Sequence, residues 1–188
     1  MMNLFLRLKH WQLFMLLMGI PIIGQIIAFF LVFASSDPFA AFAIMPFIMI
    51  ICMTAFFCWF YSLGVNLHQK LPETVQSNLK RFKLFLFLPV IYILLMVTIG
   101  PFALSNISNP EVNPSPFFLS FAIILPMHLF SMFCIFYCLR FIAKTMKAVE
   151  WQRPVNFSDY AGEFFLIWFF PIGVWFIQPR INELFKER

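Results

Sequence analysis

Four stretches of this chain, 11–34, 39–63, 84–104 and 117–139, contain no Asp, Glu, Lys or Arg. Each has about the 20 residues that an α-helix needs to cross the hydrocarbon core of a bilayer. A helix survives at that depth because it satisfies its own backbone hydrogen bonds where water is absent. The chain therefore reads as an all-α integral membrane protein. Only 11% of its 188 residues are charged, against about 25% in a soluble domain, and the mean hydropathy of +0.89 agrees. The connections are too short to hold a soluble domain, so 1–188 is expected to form a single membrane domain.

The charges that do occur are placed unevenly. Arg7 and Lys9 precede the first run, Lys70, Lys80, Arg81 and Lys83 lie in 64–83, and Arg140, Lys144, Lys147 and Arg153 lie in 140–157. The other two connections, 35–38 and 105–116, carry no basic residue. Ten against none is a strong positive-inside bias, which places the N-terminus and both basic connections in the cytoplasm. The basic pI of about 9.2 then belongs to residues that meet anionic headgroups. The lipid bilayer is the expected partner, together with another membrane protein, and nucleic acid is not. The first apolar run is too long for a signal-peptide core of about 7–15 residues, so it is expected to stay as an uncleaved span.

The end of the chain is different. The stretch 164–177 is apolar for only 14 residues and contains Pro171-Ile172-Gly173, a sequence that interrupts a helix. That length suits a re-entrant or interfacial segment. If it crossed, Arg180, Lys186 and Arg188 would go outside; if it returned, all thirteen basic residues would share one side. Charge bias favours return. A fifth span is the alternative, since starting near Tyr160 gives about 18 residues, enough with slight bilayer thinning.

The chain also resembles itself. Span two ends Phe57-Cys58-Trp59-Phe60-Tyr61-Ser62-Leu63 and span four ends Phe133-Cys134-Ile135-Phe136-Tyr137-Cys138-Leu139, with five of seven positions identical. Ile44-Met45-Pro46 and Ile124-Leu125-Pro126 occupy matching places upstream, and Pro21 and Pro89 fall early in spans one and three. The pattern reads as a duplicated helical hairpin, one copy at about 7–63 and the other at about 81–139, related by an axis along the membrane normal. The stretch 157–188 follows as a separate C-terminal segment. Chance similarity is the competing explanation, because Phe is abundant here and Tyr favours membrane interfaces. The expected fold is thus a four-helix transmembrane bundle of two parallel-repeat hairpins with a re-entrant or interfacial C-terminal helix.

Ionisable residues inside spans usually mark a task. Here the spans offer only His128, with Gln25 as a further polar group, and a lone polar residue of this kind more often bonds a neighbouring helix. Cys52, Cys58, Cys134 and Cys138 show no Cys-x-x-Cys spacing and no His at metal spacing, so neither a metal nor another cofactor is expected. Motifs for nucleophilic, metal-dependent or phosphate chemistry are missing, and no catalytic residue is assigned.

The candidate functional residues lie at the cytoplasmic face. His68 follows span two. Arg140, Lys144 and Lys147 form a basic stripe on a helical continuation of span four, and Asp159 and Glu163 share a face of the last segment. One reading is ordinary anchoring in the headgroup region. The other pairs Asp159 and Glu163 with Arg140 or Lys144 around a cytoplasm-facing pocket.

The terminal pattern Trp168-Phe169-Phe170-Pro171-Ile172-Gly173-Val174-Trp175 followed by Gln178-Pro179-Arg180-Ile181-Asn182 resembles that of small bacterial multi-pass membrane proteins. The resemblance implies a bacterial inner (plasma) membrane location and brings no chemistry. Three functions fit these observations: a non-enzymatic protein contacting a partner membrane protein or lipid, a transporter or channel subunit, and a membrane enzyme acting on lipid. The first accounts best for short loops and charge-free spans.

Overall fold

The computed structural model describes residues 4–34, 40–107 and 115–186. Among these, all regular structure is helical: α1 (Leu4–Arg7), α2 (His10–Phe14), a π-helical turn (Met15–Gly19), α3 (Ile20–Ala34), α4 (Ala40–Gln69), α5 (Leu79–Ile107), α6 (Ser115–Trp151), α7 (Phe157–Trp168) and α8 (Phe170–Leu184). Among the described residues, four stretches are long and apolar enough to cross a membrane, namely His10–Leu31, Phe47–Gln69, Leu79–Thr98 and Phe121–Trp151. They overlay the four charge-free runs, and the protein is an all-α membrane protein. The 35–38 turn, the 108–114 part of the second outer connection and the side chains of Ile44-Met45-Pro46 lie outside the described residues.

Local chemistry explains the breaks. At the start of α2 the Lys9 N–H donates to Gln12 Oε1 (2.9 Å), so a third-position side chain satisfies a backbone donor that the helix leaves open. The π turn closes with the Ile20 N–H donating to the Met15 carbonyl, directly before Pro21. Proline has no N–H to donate and crowds the turn behind it, and a widened turn is one way a helix absorbs that. At the end of α6, Gln152 adopts a left-handed φ of 51°, with Pro154 close behind, the usual sequence of events at a helix stop.

The chain forms two compact units, Met1–Leu79 with Leu139–Arg188, and Lys80–Cys138. In the second, α5 packs antiparallel to the part of α6 up to Cys138. Phe85 lies 4.7 Å from Tyr137 and 6.3 Å from Phe133 between ring centroids, and the Tyr92 hydroxyl meets His128 Nδ1 at 3.3 Å.

In the first unit, α3 packs on α4. The critical arrangement is the place of α8. It runs beside the second half of α4 in the same direction: Phe170 faces Phe56 with ring centroids 5.2 Å apart, Trp59 Nε1 donates to Gln178 Oε1 at 3.3 Å, and Lys70 Nζ donates to the Leu184 carbonyl. Against α1 and α2 it runs the opposite way, with Trp175 4.8 Å from His10 and 5.6 Å from Phe14. Its buried residues Val174, Ile177, Gln178 and Ile181 recur every three or four positions, one stripe of a helix.

These contacts decide the path of the C-terminal segment. The 12 residues of α7 and 15 of α8 measure about 18 and 22 Å, each short of a hydrocarbon core about 30 Å thick. The two helices pack on each other, and α8 ends beside Lys70, at the end of α4. The segment turns at Phe169 and α8 folds back along α7, so it forms a helical hairpin and not one continuous helix. The break is at Phe169 (φ −87°, ψ 55°), and Pro171 sits harmlessly in the first turn of α8.

Candidate functional site

Four charged side chains meet where α6, α7 and α8 converge. Arg180 of α8 grips Glu150 of α6 with two bonds, Nε to Oε1 at 2.8 Å and Nη2 to Oε2 at 2.6 Å. The same Nη2 donates to Glu163 Oε1 at 2.7 Å. Lys147, one turn before Glu150, donates to Glu163 Oε1 at 2.8 Å and lies 3.7 Å from Glu150 Oε2. Two cations and two anions thus cancel. Glu163 keeps only 7% of its side chain exposed and Lys147 14%, so the cluster is largely desolvated, the setting in which charge-assisted bonds are short and strong.

The helices explain how the four arrive together. Lys147 and Glu150 are three apart on α6 and share a face. Glu163 stands on the inward stripe of α7, between Tyr160 and Ile167. A lone carboxylate on such a stripe requires a partner, since an unpaired buried charge is heavily penalised. Burial by itself raises the Glu163 pKa, but the hydrogen bonds from Lys147 and Arg180 outweigh it and hold the carboxyl below its ordinary range. Burial lowers the Arg180 pKa, and its bonds to Glu150 and Glu163 reverse that, so it stays cationic.

A second set of polar contacts sits beside the network. Gln178 is fully buried. It accepts from Trp59 and donates through Nε2 to the carbonyls of Phe5 (2.7 Å) and Leu8 (3.0 Å). Asn182, one turn later, donates to the Leu8 carbonyl at 3.1 Å. Gln178 and Asn182 therefore satisfy carbonyls in and just after α1, groups a helix end cannot satisfy itself. Arg180, two positions from each, points to the other side of α8. The Gln-Pro-Arg-Ile-Asn sequence is a two-sided clamp.

The residues singled out from sequence are placed differently by the structure. Lys147 and Glu163 belong to the network. Arg140, exposed, donates from Nε to the Tyr160 hydroxyl at 3.1 Å, and Lys144 lies half-buried between it and Lys147 on α6. Asp159 is the third-position half of a capping box at the start of α7, whose N-cap is Asn156: its Oδ2 accepts the Asn156 N–H at 2.8 Å. The pairing of Asp159 or Glu163 with Arg140 or Lys144 is replaced by Glu163 with Lys147 and Arg180. His68 packs near Phe141, ring centroids 6.4 Å apart, with a buried Nδ1 that has no hydrogen-bond partner. His128 lies in the other unit against Tyr92. Glu150, Arg180, Gln178 and Asn182 were not among the sequence candidates, although the spacing of the last three on one short helix was visible. No group of three or more His, Cys, Asp or Glu suited to a metal occurs among the described residues.

Replacing Asp159 by Ala is expected to cost about 1 kcal/mol, the usual value of a lost cap, with the thermal midpoint in detergent as the measure. Acid tests the network. A carboxyl whose folded pKa lies below its unfolded value of about 4.3 adds stability at higher pH that disappears as pH falls through the folded value. The midpoint should therefore hold steady from pH 7 to about 5 and fall below about 4. Glu163→Gln should reduce that fall.

No protein-family model, curated protein or solved structure matches this chain.

Proposed function

We propose that this is a non-enzymatic multi-pass protein of the bacterial plasma membrane that works by contact with a partner membrane protein or with lipid. The basic face, carrying the N-terminus, Lys70 and the end of α8, is cytoplasmic on this reading. The observation that supports it most is the closure of the Lys147–Glu150–Glu163–Arg180 network. The Glu163 carboxyl is held below its ordinary range by hydrogen bonds from Lys147 and Arg180 rather than poised to exchange a proton, as a general acid or base must be. What the described residues present outward is apolar instead: Ile23, Ile27 and Phe30 of α3 and Phe47 of α4 are all well exposed.

The transport reading draws less support. It relies on a polar path through the spans, and the Thr54 hydroxyl is bonded to the Ile50 carbonyl of its own helix at 2.7 Å. The enzyme reading rests on Asp159, Glu163 and His68; the first two are engaged in a capping box and in ion pairs, and His68 packs near Phe141.

The reading is tested by placing a photo-reactive residue at position 30 and illuminating intact membranes. Discrete protein adducts or lipid adducts are expected. Solute flux through vesicles holding only the purified protein would overturn it.

A further inference from the structure

We infer that the unit formed by Met1–Leu79 and Leu139–Arg188 is a one-leaflet wedge. The α7–α8 hairpin fills the leaflet on the Lys70 side, and the acyl chains of that leaflet cover its outer face. This rests on the contact reading above and names lipid as what is contacted.

Depth is the first argument. Phe170, at the turn of the hairpin, faces Phe56, which is fourteen positions before Lys70 along α4. That places the turn about 20 Å from the level of Lys70, near the middle of the membrane and well short of its far side.

Burial within the unit is the second. Along α4, Phe57, Trp59, Phe60, Leu63 and Leu67 are buried, whereas Phe47, Met49, Ile51 and Met53 are exposed. In α3 Ala28 is buried, but most of its large residues are exposed. The half of the unit beside Lys70 thus holds α1, α2, the end of α4, α7, α8 and the 139–151 part of α6. The other half holds α3 and the start of α4. Two added helices, each about 10 Å across, give that leaflet on the order of 150 Å² more protein cross-section.

The hairpin's surface is the third. Phe165, Trp168, Phe169, Ile172, Trp175 and Phe176 are all 44–64% exposed around the turn. An apolar face of this size held at membrane depth is covered by something apolar. At the base, Lys147 and Arg153 each lie 4.7 Å from the Trp151 ring centroid. A tryptophan flanked by cations suits the headgroup zone of an anionic leaflet. Apolar insertion confined to one leaflet makes membrane affinity depend on curvature, and here it favours membrane that is convex on the Lys70 side.

The test uses the full-length protein, fluorescently labelled, in giant vesicles of phosphatidylcholine and phosphatidylglycerol. Tubes are pulled outward, and orientation is read with a membrane-impermeant quencher of a C-terminal label. Molecules with the Lys70 side outward should be enriched in tubes by roughly twofold or more, and those facing inward depleted. Equal density in tube and vesicle for both orientations would overturn the wedge. A photo-reactive residue at position 169 supplies the second readout, in intact membranes. Adducts with acyl chains support lipid as the occupant. A discrete protein adduct there overturns it while leaving the contact reading in place, whereas solute flux would remove both.

Discussion

Gly173→Ala is expected to destabilise the C-terminal hairpin by about 3 kcal/mol or more, the upper range for forcing extra volume into a packed site. A Cβ built on Gly173 would stand 1.6 Å from the Leu166 carbonyl oxygen and 2.4 Å from its carbon. These are backbone atoms of α7, so no side chain can rotate aside, and the helices must separate. Separation would also draw Glu163 and Arg180 apart, because they bridge the same two helices. Gly162 is the internal control. Nothing lies within 4 Å of its Cβ position, and Ala is the better helix former by about 1 kcal/mol. Gly162→Ala should therefore be neutral or stabilising. Thermal unfolding in detergent, with proteolysis of the hairpin as a local readout, separates the two. Equal behaviour of both variants would mean that α7 and α8 do not touch at Gly173.

Arg180→Met is expected to cost about 3–5 kcal/mol, the range for breaking a buried ion pair by removing one partner. Methionine keeps some of the apolar volume and removes all three hydrogen bonds to Glu150 and Glu163. Two largely buried carboxylates would then share Lys147 alone. Arg180→Lys keeps the charge but not the two-pronged grip, so an intermediate loss is expected. In Arg180→Met combined with Glu163→Gln, one of the stranded charges is gone, and the double variant should be less destabilised than the sum of the singles. A loss below about 1 kcal/mol for Arg180→Met would instead be the behaviour of a solvated surface pair.

Some of this was open to sequence reasoning because it is local. A run without charges can cross a bilayer whatever surrounds it, so α3 to α6 were legible from composition along the chain. Asp159, three residues after Asn156, could cap a helix for the same reason. Glu163 gave a partial signal through its place on one face with Asp159. The identity of its partners gave none. Arg140, Lys144 and Lys147 are chemically alike on one stripe, and which of them meets Glu163 depends on how α7 lies across α6. Arg180 was hidden differently, since sequence offered it mainly as a charge to be counted inside or outside.

What the sequence by itself determined, then, is that the chain is helical and belongs in a membrane, with four spans and a last segment too short for comfort. Hydrophobic transfer and backbone satisfaction act residue by residue, so they can be summed without knowing the fold. Whether that last segment runs on or folds back on itself was decided by tertiary contacts: Gly173 against Leu166, Arg180 against Glu150 and Glu163, and Gln178 against Trp59 and the carbonyls of Phe5 and Leu8. Each joins residues distant along the chain or on facing helices, and their energies exist only once the partners are brought to within a few ångströms.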